Sequence, residues 1–169
     1  MIAIAALHTP RLTLTPLRVA DADEMARVLE DARLYAFTGG AALDVTALRE
    51  RYRRQLRGRS PDGGERWLNW IVRLGADATA IGTVQTSIRE GSDGVAEIAW
   101  VIGVPWQRRG YATEAIRALV DWLGAHGIVA IEAHIAVGHA ASQAVATRVG
   151  LRRTARLVDG EEVWSSIGA

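Results

Sequence analysis

From Arg11 to Leu17 apolar and polar residues alternate, with Leu12, Leu14 and Leu17 nearly in phase, which predicts a strand ending at a turn. Asp21 then stands three residues before Glu24 in capping-box spacing, and Met25, Val28 and Leu29 follow at helical intervals, so a first helix is expected there. Gly39 and Gly40 interrupt the pattern; Asp44 caps a second helix whose Leu48, Tyr52 and Leu56 form one stripe, with six arginines between Arg49 and Arg59 on its other faces and beyond its end. After the loop SPDGG, the segments Trp67 to Leu74 and Ile81 to Ile88 are rich in aromatic and β-branched residues and predict a hairpin around Gly75-Ala76-Asp77. A third strand, Val95 to Ile102, follows the turn GSDG.

Beyond Pro105, Ala115, Ile116, Leu119, Val120 and Leu123 repeat at helical spacing until Gly124 and Gly127, the strongest helical signal in the chain. Ile128 to Val137 is an almost continuous apolar run and predicts a central strand buried on both faces. Ala140 to Val149 reads as a short helix stopped by Gly150, and Leu151 to Val158 with Glu161 to Ile167 as a hairpin around Asp159-Gly160. The expected order is one strand, two helices, three strands, a helix, a strand, a helix and two strands. That is an α/β (α+β) domain: a mixed sheet with helices packed on it, occupying residues 1–169 without linker or repeat.

Composition narrows the function. A chain of 169 residues, 49% hydrophobic and with a net charge of +1, is an ordinary globule, so no polyanionic partner is implied. The arginines of the second helix read as a solvated face. Cysteine is absent, which excludes disulfides and thiolate nucleophiles, and lysine is absent too. The opening MIAIAALHTPRL lacks a basic leader region, and no segment approaches the roughly 20 apolar residues of a membrane span. A cytoplasmic protein without membrane or nucleic-acid partner is expected, monomeric or homodimeric. His8, His126 and His134 show no metal-ligand spacing, so no metal site is expected.

The chemistry lies in AEIAWVIGVPWQRRGYATEA, where a strand, a Gly103-Val104-Pro105 break, a glycine-containing loop and a helix start follow directly. A helix N-terminus offers unpaired N–H donors and a positive dipole to a pyrophosphate. Gly110 and Ala112 let oxygens approach the backbone, and Arg108 and Arg109 add charge. Gln107, Gly110 and Ala112 match the signature Arg/Gln-x-x-Gly-x-Gly/Ala of GNAT acetyltransferases. TPRLTLTPL, AEIAWVIG with YATEA, and HAASQAVATRVGL extend the resemblance over Pro10 to Ile167, and the last resembles the branch containing ribosomal-protein N-terminal acetyltransferases (RimJ/RimL-like).

That resemblance implies a mostly antiparallel sheet flanked by helices on both faces, acetyl-CoA as cosubstrate, and direct transfer of acetyl to a primary amine, of a protein N-terminus or a small molecule. It implies that the strand before the loop splays from its neighbour, that pantetheine bonds backbone near Ile102 and Val104, with a bulge at the break, and that the loop Gln107, Arg108, Arg109, Gly110, Tyr111, Ala112 and Thr113 holds the pyrophosphate. Glu97 takes the position of a carboxylate base and Ser142 that of the serine beside the CoA sulfur. His139 replaces the family's usual asparagine as a cofactor contact or helix cap, and Ala146 stands where other branches carry a tyrosine acid. Glu114 reads as a first-turn carboxylate favoured by the helix dipole. Most of the six tryptophans belong in the core; Tyr35, Trp70 and Trp100 are candidate walls of the acceptor pocket.

Two other readings compete: an acyl-CoA-binding sensor or assembly module without turnover, which the His139 replacement favours, and an RNA-binding module using the arginine-rich helix, which the near-neutral charge disfavours. A nucleotide-binding oxidoreductase would need Gly-x-Gly-x-x-Gly after a strand, and the chain has none.

Overall fold

The computed structural model describes residues 3–75, 77–89, 91 and 94–167. Its elements are β1 (Leu7–His8), β2 (Leu12–Pro16), α1 (Ala22–Val28), α2 (Val45–Gln55), β3 (Glu65–Leu74), β4 (Thr79–Arg89), β5 (Val95–Ile102), α3 (Tyr111–Ala125), β6 (Ala130–Ala136), α4 (Ala140–Arg148), β7 (Arg152–Val158) and β8 (Glu161–Ser165). The strands form one sheet in the order β1-β2-β3-β4-β5-β6-β8-β7, antiparallel throughout except between β5 and β6. This is the predicted order, with the two-residue β1 added at the edge. Of the expected turns, Ala76, Ser92 and Asp93 lie outside the described residues.

Two layers of helix cover the sheet, because β3 alternates. Trp70 and Val72 face a core with Ile116, Leu119 and Leu123 of α3 and Val145 and Ala146 of α4; Ile71 faces a second core with Met25 of α1 and Leu48 and Tyr52 of α2. Trp70 is fully buried, donates its indole N–H to the Ala5 carbonyl at 2.7 Å and meets Trp122 edge-on, so it is core and not a wall of an acceptor pocket.

Asp44 caps α2 as expected, accepting the Ala47 N–H at 2.7 Å, but Leu56 ends the helix 49% exposed, so the buried stripe stops at Tyr52. The expected capping box at Asp21 and Glu24 is not formed. Asp21 instead accepts the Arg18 N–H at 2.7 Å and Arg73 at 2.8 Å, and Glu24 accepts the Ala80 N–H at 2.7 Å and Arg73 at 3.0 Å. A guanidinium as buried as that of Arg73 needs both carboxylates, and together they hold the tip of the β3–β4 hairpin on α1. In β6 one face is buried, while Glu132 and His134 on the other are half-buried, correcting the expectation of a strand buried on both faces.

Among the described residues no helix is long and apolar enough to cross a membrane, and no group of three or more potential ligands is placed to hold a metal ion.

Candidate active site

The parallel pair β5–β6 is short. Val95 faces Ala130, Ala96 faces Ile131 and Glu97 faces Glu132; there the pairing ends, although β5 continues to Ile102 and β6 to Ala136. The strands therefore form a fork. Because they run parallel, its open end is where β5 leads toward α3 and β6 toward α4, which brings the first turns of both helices to one place.

β5 keeps its ladder to β4 to the end: the register from Ile88–Ala96 to Gly82–Ile102 is unbroken and the Gly103 N–H still reaches the Ile81 carbonyl at 2.8 Å. The expected bulge at Gly103-Val104-Pro105 is absent. Pro105, with φ fixed and no N–H, instead sits inside a tight 3-10 turn from Val104 to Trp106. The Gln107 amide then donates back to the Ile102 carbonyl at 2.8 Å, tying the loop to the strand end.

Arg108 (φ 62°) and Gly110 (φ 81°) are both left-handed and turn the chain into α3. The N–H groups of Tyr111, Ala112 and Thr113 in the first turn of a 15-residue helix have no intrahelical acceptor, and Arg108 and Arg109 lie exposed beside them. Free donors, a helix dipole and two guanidinium groups suit a pyrophosphate.

Arg11, from the far end of the chain, organises this loop. It donates through Nη1 to the Arg109 carbonyl at 3.1 Å, pairs with Glu114 at 2.6 Å, and lies 4.6 Å from the centre of the Tyr111 ring. Glu114 also accepts Thr9 Oγ1 at 2.6 Å and the Arg11 N–H at 3.0 Å. Burial works to raise the Glu114 carboxyl, but the bonds from Thr9 and Arg11 outweigh it and hold the group below the usual carboxylate range. The residue is thus a clamp between the β1–β2 turn and α3, beyond its place near the helix dipole. Replacing Arg11 by Met is expected to weaken acetyl-CoA binding about threefold, because a half-exposed ion pair contributes roughly 1 kcal/mol or less. Calorimetric titration checks this.

Glu97 occupies the last paired position before the fork opens, with its side chain 43% exposed and 3.6 Å from His134 Nδ1. Burial pushes its carboxyl up; His134 draws it back, and Glu65, Glu132 and Glu161 push it up again, leaving it above the ordinary value. Ser142 lies half-buried in the first turn of α4, and Ala146 is fully buried one turn on. His139 precedes α4 without capping it through its side chain; its ring stacks on Phe37 at 4.3 Å with an interplanar angle of 13°, and burial lowers its pKa, which favours the neutral ring.

Of the proposed acceptor-pocket walls, Trp100 lies on the face of β5 opposite Glu97 and packs with the core beneath α3, so it does not line a pocket on the Glu97 side. Tyr35 is half-buried, and its hydroxyl donates to the Leu29 carbonyl at 2.8 Å. Sequence reasoning missed Arg11, Phe37 and the partnership of Glu97 with His134. All three depend on contacts between distant segments that no local pattern announces.

The sequence matches the acetyltransferase (GNAT) domain over residues 11–152, most of the chain. The protein belongs to the GNAT acetyltransferase family. No curated protein matches the sequence. Similar solved structures include Mycobacterium smegmatis RimJ in complex with CoA-disulfide (TM-score 0.76, 22% identity, 95% of this chain and 85% of that one). They also include the ribosomal-protein-S5-alanine acetyltransferase of Vibrio fischeri (TM-score 0.77, 15% identity, 97% of both chains). A third is AAC(6')-Ib in complex with paromomycin and acetyl-CoA (TM-score 0.75, 20% identity, 91% of both chains). The fork, the loop and the two helix starts therefore belong to a GNAT fold.

Proposed function

We propose that this GNAT protein transfers the acetyl group of acetyl-CoA to a primary amine by direct attack in a ternary complex, the acceptor being a protein N-terminus or a small-molecule amine. One observation carries the reading: the β5–β6 pair ends at Glu97–Glu132, and β5 runs on into a loop of positive-φ residues and exposed arginines that opens α3.

In this reading the N–H groups from Arg108 to Thr113 and the two arginine side chains hold the pyrophosphate, and the open edge of β5 near Ile102 and Val104 receives the pantetheine arm. Gln107 holds the loop in place through the Ile102 carbonyl. Glu97 accepts the proton released by the attacking amine and Ser142 donates to the departing thiolate. An α-amine with a pKa of about 7.8 is roughly one-seventh neutral at pH 7, whereas an amine near 10.4 is below about 0.1% neutral, so a weakly basic acceptor asks less of Glu97. His139, stacked on Phe37, supports the α4 entrance by packing. The similar solved structures include a ribosomal-protein-S5-alanine acetyltransferase and a complex with paromomycin, which is why both acceptor classes belong in the test.

The test is titration with acetyl-CoA by calorimetry, then thiol release across a panel of amines that includes peptides with free N-termini. Binding with release on some amine is the expected result. No binding would overturn the reading, and binding without release on any amine would favour an acyl-CoA sensor. Gly110→Val is expected to weaken acetyl-CoA binding about fivefold or more, because a β-branched residue at φ 81° costs about 1–2 kcal/mol. Unchanged affinity would remove the loop from the cofactor site.

A further inference from the structure

Glu97 is not alone at the fork. His134 lies two residues beyond Glu132, the partner of Glu97, on the same face of β6, at the level where β5 has already turned away. Its Nδ1 stands 3.6 Å from Glu97 Oε1, and its side chain is 19% exposed against 43% for Glu97. The carboxylate is thus the outer member of the pair and the imidazole the inner one. At 3.6 Å the two do not form a hydrogen bond, but a small rotation of either side chain closes the gap, as is common when a catalytic pair tightens only with substrate bound.

Further charged groups stand around the pair. Glu65 of β3, Glu132 of β6 and Glu161 of β8 all act on Glu97 as negative neighbours. Ser87 and Arg89 of β4 line the same small cleft as Glu65, Glu97 and Glu132, and Arg156 of β7 engages Glu132 at 2.6 Å.

We propose that Glu97 and His134 form a two-station proton relay, in which Glu97 takes the proton of the attacking amine and His134 receives it from Glu97. In the first transfer the amine N–H bond breaks as an O–H bond forms on Glu97. In the second that O–H bond breaks as an N–H bond forms at Nδ1 of an imidazole carrying its proton on Nε2. Glu97 returns to carboxylate beside an imidazolium, and the proton leaves from the ring to water. The relay rests on the proposed acetyl transfer, and it makes His134 a residue acting through Glu97 rather than on the substrate. Glu97 must lose its proton before the next turnover, and that is the step His134 serves.

Two measurements on the full chain test the pair. The first follows the His134 ring by NMR titration in wild type and in Glu97→Gln, the signal being assigned by its loss in His134→Asn. Coupling predicts that losing the neighbouring carboxylate lowers the proton affinity of the ring about threefold to tenfold. An unchanged midpoint overturns the pairing whatever the activity. The second compares pH–rate profiles of wild type and His134→Asn, which keeps a polar amide beside Glu97 but cannot take a proton. The expected result is a fall in kcat of about tenfold, an unchanged KM for acetyl-CoA and an acid limb moved to higher pH, because the ring no longer draws the Glu97 carboxyl down. A raised KM or lowered stability with the acid limb unmoved marks a structural residue and overturns the relay. A shifted ring titration in a protein that releases no thiol on any amine would instead overturn the proposed transfer, and the relay with it.

Discussion

Replacing Glu97 by Gln is expected to lower kcat about a hundredfold while leaving acetyl-CoA affinity unchanged. General acid–base groups contribute roughly 10²–10⁴-fold, and the lower end applies because the side chain is 43% exposed and water can partly take its place. The pH dependence gives a second signature. Burial and neighbouring carboxylates hold the Glu97 pKa above the ordinary value, so wild-type activity falls as pH drops through that raised value. The variant loses this base, and its residual rate, carried by neutral amine and solvent base, climbs more steeply with pH. Stability should move the other way. A carboxyl whose folded pKa is raised favours the fold when protonated, a contribution complete below the unfolded pKa and lost as pH rises through the folded one. Above its folded pKa Glu97 therefore favours the fold less than its protonated form does, and Glu97→Gln is expected to melt no lower than wild type. Steady-state kinetics across pH and thermal unfolding check both; an unchanged rate removes Glu97 as the base.

Gly82→Ala is expected to have the largest effect on stability, with an unfolding midpoint lower by about 6–12 °C. Gly82 sits in β4 opposite Ile102, and a Cβ there would lie 2.2 Å from the Val101 carbonyl oxygen and 2.8 Å from Ile102 Cδ1. The obstacle is backbone, so relief requires parting β4 from the end of β5, at a cost of about 3 kcal/mol, which corresponds to about 2–4 °C per kcal/mol at this size. The same movement displaces the strand end that Gln107 holds, so acetyl-CoA affinity should fall as well. Gly39→Ala is the control. Its Cβ would meet nothing within 4 Å, leaving only the strain of φ 70°. Similar melting of the two variants would show that the contact at Gly82 is relieved without separating the strands.

Much of this architecture can be read directly from residue order. Helix α3, the strand before it and the glycine loop between them are local events, written in periodicity and in residues that permit or forbid particular dihedrals, and Asp44 announces α2 by spacing alone. Lateral contacts are different. Arg11 and Glu114 lie 103 residues apart, and nothing near either predicts the other until β2 and α3 are packed. The pair Asp21 and Glu24 imitates a helix cap because the spacing is right, but Arg73 from a later strand competes for both carboxylates and wins through burial. Trp70 and Trp100 look alike as aromatic residues in strands; only the phase of each strand against its helices decides which core they enter. His134 stands out in the sequence only as a histidine without metal-ligand spacing, and its nearness to Glu97 follows from strand order, which periodicity does not encode.

The shortness of the β5–β6 pairing has a mechanical consequence. Eight strands form one ladder in connectivity, but three facing pairs join a plate of five strands to a plate of three. Thermal flexing of the molecule should concentrate along that seam, with α3 beneath it as the strap. A ligand lying in the gap would act as a rivet between the plates, so occupancy should stiffen the whole sheet. At a concentration a hundred times its Kd, such a ligand adds about 2.7 kcal/mol to stability by mass action alone. Amide exchange in the upper halves of β5 and β6 would then slow in step with the rise in melting temperature, making the rigidity of the protein itself a gauge of cofactor supply.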